Sequence, residues 1–434
     1  MIETRPQKTQ ERALLIGLEK RGVSKWDLRD SLEELRELAN SAGAEVVDTV
    51  TQKLPKPTAP YYIGRGKAES IKESCQDQRV TSVIFNDELS PAQGRNLENL
   101  FARKVLDRTQ LILDIFAQRA RSREGRLQIE LAQLQYLLPR LTRMWHHLSR
   151  QTGGIGTRGP GETQLEVDRR RVQERIARLE RELEAVRKTR ALQREGRKRH
   201  QWPVAAVVGY TNAGKSTLLN LLTGADVVTE NKLFATLDPT TRSFVLPNKQ
   251  RVLLTDTVGF LRKLPHTLIE SFKATLEEVS EADLLIHIVD LSHPRVDEQM
   301  EAVDSVIKEL DAFGKQTLIV FNKIDKLPPP SPGYGVAGNR ELAESYTKRF
   351  PASVAISART GEGVNKLVQA LEDALASWRL RSRFRIPSNE SALIAEIHRV
   401  GHVLELRYEG NDALIVAHVP PDLAQKLERY AESS

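Results

Sequence analysis

The chain has 434 residues, of which 40% are hydrophobic and 28% are charged, and its formal net charge is +7. This length predicts two to four domains with ordinary apolar cores, and no apolar run reaches the roughly 18 residues that a membrane-spanning helix needs. The single cysteine, Cys75, excludes an internal disulfide, and the N-terminus lacks an apolar segment of the signal type. A cytoplasmic protein is therefore expected.

Residues 1–125 alternate between apolar runs and helical patterns, which is typical of an α/β domain with a mostly parallel sheet. The run Gly64-Arg65-Gly66-Lys67 predicts a turn that leads into a helix. Because a helix start also suits phosphate, a second nucleotide site there is the alternative. Strands are expected at 13–17, 44–47, 82–85 and 110–113, and helices are expected near 27–41, 65–77 and 90–103.

Two heptad-spaced apolar seams follow within residues 126–200. Five glycines and a proline lie between them at 152–161, so the helix cannot continue there. The sequence therefore predicts a long antiparallel helical hairpin with a glycine-rich tip, and Pro139 is expected to kink its first helix. The seams contain Leu127, Leu131, Leu134, Leu138, Leu141, Trp145 and Leu148, and then Val172, Ile176, Leu179, Leu183 and Val186.

This segment also carries the basic excess of the chain. Residues 140–200 contain 17 Lys/Arg and 8 Asp/Glu, an excess of nine positive charges, whereas the whole chain carries +7. A solvated coiled coil usually mixes the two signs evenly, so the dominance of arginine predicts contact with RNA phosphates. The basic residues expected on the outer helix faces are Arg140, Arg143, Arg150, Arg169, Arg170, Arg171, Arg175, Arg178, Arg187, Lys188 and Arg190.

A phosphate-binding loop is predicted at the start of the next domain, residues 201–383. An apolar run at 202–208 predicts a buried strand, the next residues fit GxxxxGKS, and 217–222 open a helix, which is the context that the motif requires. Lys215 is expected to reach the β- and γ-phosphates, and Ser216 is expected to bind Mg²⁺. The residues predicted to cradle the nucleotide are Gly209, Tyr210, Thr211, Asn212, Ala213, Gly214, Lys215, Ser216 and Thr217.

Asp256-Thr257-Val258-Gly259 follows a second strand-like run at 251–255. Asp256 is expected to hold Mg²⁺ through water, and the Gly259 amide is expected to bond the γ-phosphate. The next residue is Phe260, where many GTPases carry a glutamine that orients the attacking water. Hydrolysis is therefore predicted to be slow until a partner completes the site.

The segment 234–242 between these motifs is predicted to close on the nucleotide. It contains three threonines, and one of them should bind Mg²⁺ when the γ-phosphate is present. Thr236 is favoured, Thr240 and Thr241 are its rivals, and an ordinary loop is the alternative. Phe234 is included among the nucleotide contacts. The predicted catalytic residues are Lys215, Thr236 and Gly259, and the predicted metal ligands are Ser216, Thr236 and Asp256.

Asn322-Lys323-Ile324-Asp325 follows the apolar run 317–321 and predicts recognition of guanine. The Asp325 carboxylate can accept from N1–H and the exocyclic amine of guanine, a donor pair that adenine lacks, which argues against an ATP-dependent enzyme. Asn322 is expected to brace the phosphate loop, and Lys323 is expected to lie along the base. In Ser357-Ala358, a backbone N–H is expected to meet guanine O6. The cofactors are thus GTP or GDP with Mg²⁺.

Residues 384–434 predict a small C-terminal α/β domain, with strands at 391–397 and 412–417. The expected fold class is therefore α/β: a P-loop GTPase domain, an N-terminal α/β domain with a long antiparallel helical hairpin, and this small third domain.

The chain resembles the HflX family of ribosome-associated GTPases over about residues 10 to 380. The resemblance is carried by the nucleotide motifs and, more specifically, by segments outside them. Ile63-Gly64-Arg65-Gly66-Lys67 and the tip run Gly153-Gly154-Ile155-Gly156-Thr157-Arg158-Gly159-Pro160-Gly161-Glu162-Thr163 match the family pattern. Further matches lie at 107–116, 233–240 and 256–260.

This resemblance implies a factor that binds the large ribosomal subunit and its rRNA through the hairpin, and that splits stalled or idle 70S ribosomes under stress. It implies a cytoplasmic, ribosome-associated protein, expected as a monomer. A GTPase in ribosome assembly or in another structured-RNA process is the first alternative. A nucleotide-gated binding protein whose hydrolysis is incidental is the second.

Overall fold

The computed structural model describes residues 11–141, 164–198, 202–224, 233–234, 237–262, 276–327, 339–376 and 380–432. The chain divides into two compact units. The first contains Met1–Val186 with Lys232–Leu237 and Leu264–Phe272, and the second contains Arg187–Asn231, Asp238–Lys263 and Lys273–Ser434. The glycine-rich tip predicted at 152–161 lies outside the described residues.

The first unit is built on a four-stranded sheet in the order β2-β1-β3-β4, and every strand pair in it is parallel. Its core is an apolar cluster around Leu14, Ile16 and Phe85, which are at most 1% exposed. The predicted parallel α/β domain is therefore confirmed. Its strands are β1 (Glu11–Glu19), β2 (Ala44–Lys53), β3 (Ser82–Phe85) and β4 (Lys104–Asp107), and its first helices are α1 (Lys25–Ser41), α2 (Arg65–Asp77), α3 (Pro91–Phe101) and α4 (Arg108–Arg119).

The strand predicted at 110–113 is wrong, because these residues lie in α4 and the strand precedes them. The Asp107 side chain at the end of β4 accepts a hydrogen bond from the Gln110 N–H, which starts the helix. Leu111, Ile112 and Leu113 are all buried, so this run contains no polar residue that would reveal the helical spacing. A short apolar run of this kind fits a strand and a buried helix equally well.

Two long helices, α5 (Arg123–Leu141) and α6 (Gln164–Lys198), follow. Leu127 and Leu131 on α5 form one buried cluster with Leu179 and Leu183 on α6, so the predicted heptad seams do face each other. Arg175 adds a bidentate bond to Glu130 at 2.8 and 2.9 Å. Pro139 lies in the last turn of α5 within the described residues.

The second unit contains a six-stranded sheet in the order β10-β9-β8-β5-β7-β6, in which only the β6–β7 pair is antiparallel. Its central strands are buried runs such as Val204–Gly209, which suits a parallel sheet that is covered on both faces. The strands are β5 (Val204–Gly209), β6 (Thr240–Val245), β7 (Arg251–Asp256), β8 (Leu284–Asp290), β9 (Thr317–Asn322) and β10 (Ser353–Ala355), and the helices are α7 (Lys215–Thr223), α8 (Val296–Glu309), α9 (Asn339–Arg349) and α10 (Val364–Ala376).

The C-terminal part of this unit is a three-stranded antiparallel sheet in the order β11-β13-β12. The strand expected at 391–397 is wrong, because these residues begin a helix whose Leu393, Ile397 and Val400 pack on the sheet at helical spacing. The strand expected at 412–417 is confirmed. The elements are β11 (Leu380–Pro387), α11 (Ser391–Val400), β12 (His402–Glu409), β13 (Asp412–Val419) and α12 (Pro421–Lys426).

Among the described helices, none combines the length and the apolar character that crossing a membrane would require.

Candidate guanine-nucleotide site

The phosphate loop connects the end of β5 to α7. Gly209 and Gly214 have φ of +148° and +101°, which residues with a side chain rarely adopt. A Cβ on Gly209 would lie 2.3 Å from the carbonyl oxygen of Ile288, and one on Gly214 would lie 2.2 Å from Nδ2 of Asn322. Both positions therefore require glycine, because of their backbone conformation and because of the atoms that lie against them. Helix α7 begins at Lys215, so its N-terminus faces the loop.

Lys215 is buried at the centre of this loop. Its ammonium group donates to the carbonyl oxygens of Gly209 at 3.2 Å and Tyr210 at 2.8 Å. Burial, opposed by the Asp256 carboxylate and reinforced by Lys323, lowers the pKa of Lys215 to about 8. An anionic phosphate would stabilise the charged form and raise this pKa, because an opposite charge at close range favours ionisation.

Two of the three residues predicted to hold Mg²⁺, Ser216 and Asp256, lie in contact. The Ser216 hydroxyl donates to Oδ2 of Asp256 at 2.7 Å. Because Mg²⁺ keeps several of its waters in proteins, this contact fits an ion that the Ser216 hydroxyl would bind and that the Asp256 carboxylate would hold through water. No cluster of three or more His, Cys, Asp or Glu residues suited to a metal occurs in the described parts of the chain. Hydroxyl, carboxylate and phosphate oxygens are ligands that Mg²⁺ prefers.

The three threonines of the segment 234–242 differ in where the structure places them. Thr236 lies outside the described residues. Thr240 and Thr241 lie in β6, where Thr240 pairs with Asp256 and the Thr241 hydroxyl is 3.0 Å from that of Thr255. Phe234 belongs to the first unit, is 2% exposed, and packs edge-on against Phe116 with ring centroids 4.5 Å apart. The contact of Phe234 with nucleotide stays a prediction.

The chain after Asp256 runs along the phosphate loop. The Phe260 N–H donates to the carbonyl of Gly209 at 3.1 Å, and the Thr211 N–H donates to the carbonyl of Phe260 at 2.8 Å. A Cβ on Gly259 would lie 2.7 Å from Cγ2 of Thr211 and 3.0 Å from Nζ of Lys215. Position 259 is thus pressed against the lysine, and only glycine fits it.

Phe260 is 2% exposed, so its ring is part of the core. An apolar ring that is packed in this way cannot orient water, which agrees with the expectation drawn from the sequence.

The base-side residues follow β9 and β10. The Asn322 side chain donates to the carbonyl of Ala213 at 2.8 Å and accepts from the Ala358 N–H at 2.9 Å. The Asp325 carboxylate accepts from the Ser357 hydroxyl at 2.7 Å. These residues lie together on one edge of the sheet, beside the phosphate loop. The contact of the Ala358 amide with guanine O6 stays a prediction, since this amide also serves Asn322.

Lys323 has a positive φ of 66°, and its ammonium group forms an ion pair with Asp290 at 2.7 Å. Both side chains are about 15% exposed. The pair fixes the lysine over the turn that leads from β9 to Asp325.

Two further residues of the predicted phosphate cradle are placed by the loop and the helix that follows it. Asn212 has a left-handed backbone, with φ of 60°, and Thr217 lies in the first turn of α7.

Two residues of the site have roles that the sequence did not indicate. His287 on β8 is 2% exposed, and burial together with Lys215 lowers its pKa to about 4, so it is neutral. The Tyr210 hydroxyl accepts a hydrogen bond from the Arg262 N–H at 2.9 Å. Tyr210 was expected only as part of the phosphate cradle, and no short motif signals a bond to a distant backbone amide.

The six-stranded sheet, the phosphate loop and the guanine-type asparagine motif together define a P-loop GTPase. Three family models match the chain: "GTP-binding GTPase N-terminal" at 29–117, "GTP-binding GTPase Middle Region" at 119–197, and "50S ribosome-binding GTPase" at 204–323.

Curated relatives narrow this class. "GTPase HflX" of Caldanaerobacter subterraneus is 46% identical over 97% of this chain and 94% of its own length. "GTPase HflX" of Lacrimispora saccharolytica is 45% identical over 98% and 97%, and that of Escherichia coli is 46% identical over 86% and 85%. The chain belongs to the HflX family of GTPases.

Proposed function

We propose that this GTPase binds GTP and Mg²⁺ at the site described above, acts on the large ribosomal subunit, and dissociates stalled or idle 70S ribosomes under stress. The nucleotide part is supported by the convergence of three distant motifs through one buried side chain, that of Asn322. Ser216, Asp256 and Thr236 would hold Mg²⁺, which would neutralise charge on the β- and γ-phosphates.

The ribosomal part is supported by the match of residues 204–323 to a model described as a 50S ribosome-binding GTPase. It is also supported by exposed arginines on α6. Arg169 and Arg178 are exposed and have no acidic partner among the described residues. Phosphate groups of rRNA are the anions that such side chains would bind.

The outer-face prediction needs one correction. Arg140 is not presented to a partner, since its side chain is 20% exposed and donates to the carbonyl of Leu89 and to Asp107. Arg175 is held by Glu130. Arg170 and Arg171 each lie near an acidic residue of their own helix. Arg143 and Arg150 lie outside the described residues, as do the side chains of Arg187 and Arg190.

The decisive experiment measures GTP hydrolysis with and without purified large subunits, in the wild type and in a variant that lacks residues 153–161. We expect stimulation by the subunits for the wild type and a loss of stimulation without the tip. A rate that the subunits leave unchanged would refute the proposal. Conversion of 70S particles to subunits in a sucrose gradient then tests splitting itself, and intact 70S particles would favour ribosome assembly or another structured RNA.

The arginine contact is tested by the double variant R169Q/R178Q, with R21Q/R29Q as its matched control. Arg21 and Arg29 are likewise exposed arginines but lie outside the helical pair. The first variant should weaken binding to large subunits and reduce the slope of log affinity against log salt by about one for each arginine. If the two variants weakened binding equally, the effect would come from general electrostatic attraction and not from a contact of Arg169 and Arg178.

A third experiment distinguishes the proposed function from that of a nucleotide-gated binding protein. If a non-hydrolysable GTP analogue supports full splitting, and if blocked turnover leaves function in cells unchanged, hydrolysis is incidental.

A further inference from the structure

The Tyr210 side chain has a partner outside the phosphate loop. Its hydroxyl accepts a hydrogen bond from the Arg262 N–H at 2.9 Å, and the residue is 7% exposed. A residue at this place in a phosphate loop needs only its backbone to serve the loop. The phenol group is therefore available to hold the chain that follows Gly259.

This bond extends a short ladder between the two segments. The first two links are the backbone bonds that join Phe260 to Gly209 and to Thr211. The Tyr210 hydroxyl provides a third link, two residues further along, at Arg262. Tyr210 also offers its carbonyl to the Lys215 ammonium group at 2.8 Å. One residue thus contacts both the lysine and the segment beside it.

The ladder matters because the segment 259–262 offers no side chain for orienting water. Phe260 is packed in the core, so within the described segment 259–262 it is the backbone at Gly259 that lies beside Lys215. A backbone amide contributes to a reaction only when it is held in place, since small displacements are costly in rate.

We propose that Tyr210 is a positioning residue for GTP hydrolysis. Its hydroxyl fixes the backbone at Arg262, and this keeps the Gly259 amide beside Lys215 and the reacting phosphate. Tyr210 does not touch the γ-phosphate with its side chain. It acts through Gly259, and its effect falls on turnover and not on nucleotide affinity.

The side chain of Arg262 also forms an ion pair, and this contact lies in solvent. Its guanidinium group contacts Glu298 on α8 at 2.8 Å, but the two side chains are 36% and 43% exposed. Glu298 also pairs with Arg295 at 3.1 Å. Exposed ion pairs of this kind contribute little. The buried hydroxyl of Tyr210 therefore adds a shielded hydrogen bond between the backbone at Arg262 and the phosphate loop.

The test is the variant Y210F, which removes only the hydroxyl, measured without ribosomes. We expect kcat for GTP to fall about fivefold, as the loss of one neutral hydrogen bond predicts, while KM and the GDP dissociation constant change by less than about twofold. The matched control is Y408F, since Tyr408 on β12 is 62% exposed and remote in sequence from the site motifs. Y408F should leave all three constants unchanged.

An unchanged kcat in Y210F would overturn the proposal, and so would an increase, because the bond would then restrain the segment. Equal losses of GDP and GTP affinity would also overturn it, since they would show a structural role in the phosphate loop. GDP affinity reports correct folding in the same sample, because the phenylalanine ring keeps the packing of the tyrosine ring.

Discussion

The side-chain nitrogen of Asn322 donates a 2.8 Å hydrogen bond to the carbonyl oxygen of Ala213, 109 residues earlier in the chain. The oxygen of the same carboxamide accepts from the Ala358 N–H, 36 residues later. Asn322 is 2% exposed, so both bonds are shielded from water. The phosphate loop and the two base-side loops are thereby joined by one group.

The substitution N322A should therefore weaken nucleotide binding while the fold persists. It leaves the carbonyl of Ala213 and the amide of Ala358 without their partner, and each buried group left unpaired costs about 1–3 kcal/mol. We expect the dissociation constant for GDP to rise at least about tenfold. Equilibrium titration with a fluorescent GDP measures it, and N411A, at an exposed asparagine, is the control. Wild-type affinity in N322A would contradict this role.

Much of the site follows from sequence because its motifs are local. The glycines at 209 and 214 are dictated by the backbone of one loop, and GxxxxGKS names them directly. The bond from Arg262 to Tyr210 spans 52 residues and uses a backbone donor, so no residue pattern encodes it. The sequence identifies groups that must act on a ligand, but not the groups that hold them.

Arg140 shows the same limit on the helical pair. Heptad spacing assigns residues to the seam or to the outer face, but it says nothing about a third element. Arg140 stacks on Tyr136, with its guanidinium carbon 3.4 Å from the ring centroid, and bonds to Leu89 and Asp107. The sequence placed Arg140 on the outer face of the helical pair, but in the structure its side chain contacts the adjoining α/β domain. Tertiary packing, and not local pattern, decided its role.

The substitution G259A should separate binding from hydrolysis. The added methyl group would collide with Thr211 and approach the Lys215 ammonium group, so the segment must move away from the phosphate loop. We expect GTP turnover to fall by about two orders of magnitude, as for the loss of one well-placed backbone donor, with GDP affinity retained. Single-turnover hydrolysis of bound GTP measures this. G66A is the matched control, because a Cβ there meets nothing within 4 Å.

His287 should make stability depend on pH below neutrality. Its pKa is lowered from 6.5 to about 4, first by burial and then by Lys215, so between these values the unfolded chain binds a proton that the folded chain does not. Stability is then lost as the pH falls from 6.5 towards 4, by up to about 3 kcal/mol. Urea unfolding at pH 5 and pH 7 should show a smaller difference for H287F than for the wild type. H398Q, at an exposed histidine, should behave as the wild type does.

Asp325 should determine which base is bound. The substitution D325N should therefore shift the preference from guanine to xanthine nucleotides and not merely abolish binding. The carboxylate accepts from the Ser357 hydroxyl at 2.7 Å, which orients it at the end of the turn after β9. An amide presents a donor where guanine also presents its amine, so a repulsive contact replaces an attractive one, and GTP affinity should fall by at least about 100-fold. Xanthosine triphosphate carries a carbonyl oxygen at that position and should bind D325N more tightly than the wild type. Competition against a fluorescent guanine nucleotide measures both affinities. If D325N lost GTP without gaining the xanthine nucleotide, Asp325 would be a structural residue of the loop and not the group that recognises the base.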